Sequence, residues 1–170
     1  YSKEPLSIRE ISQILWAAQG ITEEKYVLRT APSAGALYPL EIYIAVSNVN
    51  ELNPGVYKYK PQNHALKKID EGDKRLDISN AALQQDAIEN SSAILIISAV
   101  YERTAVKYGR RAERYIHIEV GSVGQNIYLQ SVSLGLGTVM IGAFKDEVLK
   151  RVLALQKNES PLAIMPLGKI

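Results

Sequence analysis

The sequence contains no cysteine, and only two of its 170 residues are histidine. Without thiols the chain has neither disulfides nor thiolate chemistry, and the cytoplasm is the location we expect. His64 and His117 lie far apart and have no ligand-like neighbours, so we predict no metal site. A nucleophile elbow of the G-x-S-x-G type is also missing, which argues against a hydrolytic triad.

Excess charge and long apolar runs are scarce as well. The net charge is only +2, and the one dense basic patch, residues 109–114, has no aromatic stripe beside it. We therefore predict no nucleic-acid partner. No apolar run reaches the length of a membrane span, so we predict no membrane partner. The length suits a single domain over residues 1–170.

The first structural signal is a helix over residues 5–20. Ser7 is a good N-cap, Glu10 completes a capping box, and Gly20 supplies the stop. Apolar residues then recur at helical spacing, which indicates a helix that covers a core.

Further along the chain, strands and helices mix without regular βαβ alternation. This predicts an α+β fold, with helices around a mixed or antiparallel sheet. The predicted strands are 41–48, 55–60, 64–70, 93–101, 135–144 and 161–169, and the predicted helices are 76–90, 110–134 and 145–155.

The longest predicted helix, 110–134, carries two glycines near its middle, Gly121 and Gly124. Glycine costs a helix about 1 kcal/mol relative to alanine. Two glycines so close together predict that another backbone or a partner helix packs tightly there.

The stretch RTAPSAGALYPLE, residues 29–41, is rich in small residues and proline and lies just before an apolar strand. Such residues suit a backbone that must stay rigid and approach a flat ligand closely, although they also suit an ordinary tight connection. Three other segments read as unusual loops: 84–85, 107–109 and 139–142.

These loops carry a family resemblance. RTAPSAGALYPLEIYI, the segment from AALQQDAIEN through GTVMIGAF, and PLAIMPLGK resemble the FMN-dependent nitroreductase superfamily. The Lys-Tyr pair before the long helix resembles the azoline-dehydrogenase branch, the SagB-type enzymes that make thiazoles and oxazoles in peptides. The resemblance implies a mostly antiparallel sheet wrapped by helices, in a two-fold homodimer with FMN at the interface.

The resemblance also implies the cofactor-binding residues. One loop would form the floor beneath the flavin, Gln85 or its neighbour Gln84 would meet the pyrimidine edge, and a third segment would face N5. In the order of these roles the residues are Pro32, Ser33, Ala34 and Gly35; Gln85; and Met140, Ile141 and Gly142.

Lys107 and Tyr108 match the pair to which this branch assigns proton chemistry. Oxidising an azoline to an azole removes one hydride and one proton from carbon. Flavin N5 would take the hydride, so a base must take the proton. A lysine held beside an apolar ring is able to act as that base, and the tyrosine would orient it or relay the proton. The alternative interpretation is that this Lys-Tyr pair is exposed on the surface and has no catalytic role.

The FMN phosphate lacks an evident partner. In the family an arginine-rich segment before the first helix binds it, and here that segment would precede Tyr1. Arg29 is the preferred substitute because it lies in the flavin-floor loop, and the alternatives are Arg111, Arg114 and Lys169.

The sequence therefore predicts an FMN-dependent oxidoreductase that acts on a small molecule or a peptide, and azoline dehydrogenation is the specific reaction that the resemblance implies. One alternative is a generic NAD(P)H-dependent nitro or quinone reductase acting on small molecules. Another is a flavin-binding protein without turnover.

Overall fold

An antiparallel sheet of six strands forms the centre of the computed structural model, which describes residues 1–170. The strand order is β5-β4-β3-β6-β8-β7, and every neighbouring pair is antiparallel. The α+β prediction is confirmed. The six strands are β3 (Leu40–Val46), β4 (Gly55–Lys60), β5 (Ala65–Glu71), β6 (Ala93–Ala99), β7 (Leu136–Thr138) and β8 (Ser160–Lys169).

Helices cover both faces of this sheet, and a small hairpin precedes it. The helices are α1 (Ile8–Gln19), α2 (Arg75–Ala81), α3 (Asp86–Glu89), α4 (Tyr101–Tyr108), α5 (Ala112–Ser133) and α6 (Asp146–Val152). The hairpin pairs β1 (Ile21–Glu23) with β2 (Leu28–Arg29). None of the helices combines the length and hydropathy that a membrane span needs.

Two apolar cores result from this layering. The larger core joins α1 and α5 to one face of the sheet, and the smaller joins α2, α3 and α6 to the other. Strand β6 shows why both are needed, since all seven of its residues are buried. Its odd-numbered side chains enter the larger core and Ile94 and Ile96 the smaller.

Helix α1 begins as its sequence predicts. The Ser7 hydroxyl accepts a hydrogen bond from the backbone N–H of Glu10, and the Glu10 carboxylate accepts one from the Ser7 N–H at 2.6 Å. This reciprocal box satisfies two N–H groups that the first turn leaves free. Gly20 follows the helix in an extended conformation, with φ −62°.

Three sequence predictions are wrong in detail. The helix expected over 76–90 is two helices, because Leu83 and Gln84 adopt positive φ angles between them. The strand expected over 135–144 ends at Thr138. Lys107 and Tyr108, expected in a loop, are the last residues of α4, and Gly109 ends that helix with φ +51°.

Candidate functional site

The loop from Arg29 to Tyr38 has a strained backbone. Gly35, Ala36 and Tyr38 all have positive φ, between 45° and 64°, a region that L-residues seldom adopt. Side chains of the loop hold it in place. Ser33 Oγ accepts a hydrogen bond from the Tyr38 N–H at 2.9 Å, and Tyr38 Oη accepts one from the Arg29 N–H at 3.2 Å.

The structure brings Lys107 and Tyr108 to this loop. A Cβ placed on Gly35 would lie 2.9 Å from Tyr108 Oη and 3.1 Å from Lys107 Nζ. Lys107 Nζ also lies 5.4 Å from the centre of the Tyr108 ring, which in turn packs edge-on against Tyr115. An amine and a phenol therefore converge over the one loop residue that has no side chain.

Beneath the loop lies a residue that the sequence analysis missed, Glu119 on α5. It is 2% exposed, and its Oε1 atom has no hydrogen-bond partner. Burial raises the pKa of the Glu119 carboxyl to about 7, while Ser33, Gln19 and Arg29 act to lower it. The helical spacing of α5 marks position 119 as inward-facing, but the identity of its neighbours depends on the tertiary fold.

Arg29 is engaged with the same group of residues. Its Nη1 donates to Gln19 Oε1 at 2.9 Å, and the guanidinium lies 4.4 Å from the centre of the Tyr38 ring. Burial lowers the pKa of Arg29, and the charges of Glu41, Tyr38 and Glu119 oppose that shift. We call Gln19, Arg29, Ser33 and Glu119 the Glu119 cluster.

The three alternative candidates for binding the phosphate lie elsewhere in the fold. Arg111 and Arg114 are exposed where α5 begins, around a cavity that they share with His117. Lys169 ends β8, and its Nζ lies 3.6 Å from a carboxylate oxygen of Glu4. Arg29, the last residue of β2, is thus the only one of the four that adjoins the loop of residues 32–35.

The remaining predicted cofactor residues are Gln85 and residues 140–142, which we call the second group. Gln85 precedes α3, and its Nε2 donates to the Ala82 carbonyl at 2.9 Å, whereas Gln84 is exposed. The backbone N–H of Lys145 donates to the Ala81 carbonyl at 2.9 Å. That bond ties the segment after Gly142 to the end of α2.

Within this second group, residues 140–142 are held by their backbone. The Met140 N–H donates to Tyr128 Oη at 2.6 Å, and Ile141 pairs with Ile164. The Met140 side chain fills the space that Gly124 leaves open, so a side chain, rather than another backbone or a partner helix, explains that glycine. Gly142 is exposed, and no atom lies within 4 Å of the position where its Cβ would be.

The two groups lie apart in one chain. Ser33 meets α5 at Glu119, and Met140 meets it at Tyr128, which is about 13 Å farther along the helix at 1.5 Å per residue. Gln85 lies with α2 and α3 against the opposite face of the sheet. The predicted cofactor residues of one chain therefore form two separate partial surfaces and do not meet.

A second buried charged group, also missed from sequence, lies on the face of the sheet that α2 and α6 cover. Lys58 Nζ lies 2.6 Å from Glu159 and 3.2 Å from Glu41, and the hydroxyls of Tyr43 and Ser98 donate to Glu159. Burial raises the pKa of the Tyr43 hydroxyl above its ordinary value. We call these five residues the Lys58 cluster.

Comparison with known proteins identifies the family to which this arrangement belongs. A family model described as the nitroreductase family matches residues 1–169. The chain belongs to the nitroreductase family. Membership in the nitroreductase family implies an oxidoreductase with a flavin cofactor.

Two nitroreductase-family relatives and one solved structure extend this result. A protein of Methanocaldococcus jannaschii assigned to the nitroreductases is 47% identical over 169 residues, covering 99% of this chain and 84% of the relative. The microcin B17-processing protein McbC of Escherichia coli is 28% identical over 174 residues, covering 99% of this chain and 64% of McbC.

The solved structure is the Escherichia coli microcin synthetase McbBCD complex with truncated pro-MccB17 bound. Its matching chain has a TM-score of 0.87 at 27% identity, over 99% of this chain and 65% of that chain. This chain therefore spans less than two thirds of McbC. The likeness confirms the nitroreductase-like fold and the resemblance to the azoline-dehydrogenase branch.

Proposed function

We propose that the chain is an FMN-dependent oxidoreductase that works as a homodimer and oxidises azoline rings to azoles. The observation that carries the proposal is the convergence of Lys107 and Tyr108 over Gly35, in a loop of small and constrained residues. The relationship to McbC supports the choice of substrate class. The cytoplasm is the location we propose.

The residues present fit a flavin. Gly35 keeps the backbone bare beside Tyr108 Oη and Lys107 Nζ, so a planar ring lying along residues 32–35 would come within reach of both side chains. Pro32, Ser33 and Ala34 extend the floor for that ring. In the second group the backbone of Met140, Ile141 and Gly142 and the Gln85 amide offer donors and acceptors without charge.

FMN, when bound, supplies the hydride acceptor for the reaction. The Lys107 amine accepts the proton that leaves the azoline carbon, and the two events together remove the two hydrogens of one ring bond. Tyr108 orients the amine through its ring and its hydroxyl. Lys107 is exposed in the single chain, so the apolar surroundings that a lysine base needs would come from FMN and a second subunit.

The dimer is supported by an exposed apolar seam along α5. Ile118, Leu129 and Val132 are 62%, 64% and 78% exposed, and Gly121 has open space around its missing side chain. Successive members of this seam are separated by three, eight and three residues, which places all four on one side of the helix. A second copy of α5 would cover this seam and let Gly121 approach it closely.

A dimer would bring the two partial surfaces together, which neither subunit does alone. If one subunit contributes residues 32–35 with Lys107 and Tyr108, its partner would contribute Gln85 and residues 140–142. Each flavin would then lie between subunits. Leu129→Glu should dissociate the dimer and abolish FMN binding, whereas Leu76→Glu, an equally exposed leucine on α2, should do neither when the mass and the flavin content are measured.

A second candidate function is an NAD(P)H-dependent nitro or quinone reductase. The 47% identity to the Methanocaldococcus jannaschii protein favours it. Such a reductase needs an open pocket above the flavin but no dedicated base. Rapid anaerobic bleaching of the flavin by NADPH or NADH, unchanged in Lys107→Ala, would replace the azoline proposal by this one.

The deciding experiment incubates FMN-loaded protein with a thiazoline-containing peptide. Mass spectrometry should show the loss of two hydrogens per ring, with strongly reduced conversion in Lys107→Ala and Tyr108→Phe. Lys67→Ala, an exposed lysine on β5, should match the wild type. Full conversion by Lys107→Ala would refute its role as the base, and a protein that retains FMN but is inert to peptide and nicotinamides would be a flavin-binding protein without turnover.

A further inference from the structure

A polar cavity of about 310 Å³ lies behind the flavin-floor loop. Its walls come from Arg29, from the first residues of β3, from the end of β4 with the following turn, and from Arg103 on α4. Neither partial flavin surface includes the residues of β3, β4 and the turn. Most of the exposed lining of the cavity is polar, so the cavity suits a polar or charged group.

The lining carries an excess of positive charge. Arg29, Lys60 and Arg103 line the cavity together with a single carboxylate, Glu41. Glu41 is already paired with Arg103 and with buried Lys58, and Lys58 is balanced in turn by Glu159. Arg29 and Lys60 are therefore the two cations that no carboxylate pairs with at salt-bridge distance.

A buried donor beside the cavity lacks an acceptor. Gln19 is fully buried, its Oε1 accepts from Arg29 Nη1, and its amide nitrogen faces the Glu119 carboxylate, whose pKa it lowers. The Nε of Arg29 has no hydrogen-bond partner. A buried donor without an acceptor costs about 1–3 kcal/mol, and a group with several acceptor oxygens and negative charge would satisfy this donor and pair with the Lys60 amine.

The position of the cavity connects it to Lys107. Arg103 and Lys107 lie four residues apart on α4 and so share one face of the helix. Arg103 Nη1 donates to the Tyr38 carbonyl at 3.1 Å, and the Arg29 guanidinium lies over the Tyr38 ring. The cavity and the Lys107–Tyr108 pair thus adjoin the same loop.

We propose that this cavity is an anion site, which binds the carboxylate or phosphate group of a small molecule used by the enzyme. Two molecules carry that chemistry: the substrate, through an anionic group of its own, and the cofactor, through its phosphate. That the anion belongs to a flavin reaction rests on the proposed function, whereas the anion site itself does not.

The test uses inorganic phosphate as the probe. The unfolding temperature of the purified protein is followed as phosphate is added at constant ionic strength, with chloride as the balancing anion. We expect a saturable rise for the wild type and at least a tenfold weaker response for Lys60→Gln and for Arg29→Gln. Lys67→Gln, which removes an exposed lysine of β5 outside the cavity, should respond as the wild type does.

The outcomes separate the two sources of the anion. If phosphate binds equally well with and without FMN, the site serves the substrate. If FMN abolishes phosphate binding, and Lys60→Gln weakens the binding of phosphate and of FMN, the site serves the cofactor phosphate. No saturable response, or the same response in Lys60→Gln and Lys67→Gln, overturns the anion site. Because Lys60 is only partly buried, this variant tests the proposal even if Arg29→Gln fails to fold.

FMN binding is measured separately in each protein by quenching of flavin fluorescence. A protein that binds phosphate as described but never binds FMN would refute the proposed function and leave the anion site standing. A protein that binds FMN without any phosphate response would do the reverse.

Discussion

The two buried charged clusters differ in how completely their polar atoms are paired. In the Lys58 cluster the lysine has two carboxylate partners, and Glu159 also accepts from Tyr43 and Ser98. In the Glu119 cluster, Glu119 Oε1, Gln19 Nε2 and Arg29 Nε have no hydrogen-bond partner. Both clusters lie within one small protein, so size and general packing do not account for the difference.

This difference separates stability from function. A buried ion pair whose polar atoms all have hydrogen-bond partners needs no ligand to complete it. Such a pair costs little free energy of folding as long as both partners are present. Buried polar atoms without partners cost free energy, and a fold retains them where a ligand or a proton completes the set. The Glu119 cluster lies beneath the loop that Lys107 and Tyr108 cover, where a cofactor would be expected to act.

The largest effect should come from breaking the Lys58 cluster. Lys58→Met leaves Glu159 charged and buried, so we expect the free energy of unfolding to fall by about 3–5 kcal/mol. Urea denaturation of the variant and the wild type measures this loss of free energy. Lys68→Met removes an exposed pair with Glu71, and its effect should stay within about 0.5 kcal/mol. Equal losses in the two variants would contradict the structural role of the Lys58 cluster.

Glu119→Gln, by contrast, should raise the free energy of unfolding, and it should do so only at pH values above about 4.5. The folded-state pKa of Glu119 is about 7, above its ordinary value of 4.5. Between these values the unfolded chain has lost a proton that the folded chain keeps, so the stability due to Glu119 is present below pH 4.5 and is lost as the pH rises to 7.

The glutamine variant carries no such penalty. It should match the wild type near pH 4.5 and exceed its free energy of unfolding by on the order of 1–3 kcal/mol at pH 8. Urea denaturation at both pH values provides the comparison. A gain that is the same at both pH values would show that ionisation of Glu119 plays no part.

Gly35→Ala sharpens the comparison at the loop itself. The substitution places a side chain on a residue with positive φ, which should reduce the free energy of unfolding by about 1 kcal/mol. Gly72→Ala is the matched control, because Gly72 also has positive φ but no neighbour within 4 Å. Both should lose similar stability in urea, and only Gly35→Ala should lose FMN affinity by fluorescence titration.

Much of the fold could be predicted because local patterns agree with the final packing. The capping box of α1, the doubly buried run of β6 and the β4–β5 hairpin all depend on neighbours in sequence. The break between α2 and α3 could not be predicted, because the residue types of Leu83 and Gln84 do not mark the positive φ angles that both adopt. The end of β7 at Thr138 is likewise not marked by the residues around it.

The candidate site divides in the same way. The loop 32–35 and the pair Lys107–Tyr108 were predicted from short motifs, and the structure places them together. Glu119, Gln19 and the Lys58 cluster join residues far apart in sequence, and no local motif identifies the neighbours of a buried glutamate on a helix. The roles of Gln85 and of residues 140–142 remain predictions, since within one chain they lie apart from the loop.

The central claim, that each flavin lies between two subunits, is tested most directly by a mixed dimer of Gly35→Val and Gly142→Val chains. Each variant alone should bind little FMN. In the mixed dimer one site receives both defects and the other receives none, so native mass spectrometry of the purified mixed dimer should find one FMN per two chains. A mixed dimer without FMN, or a single chain that holds FMN alone, would contradict the account.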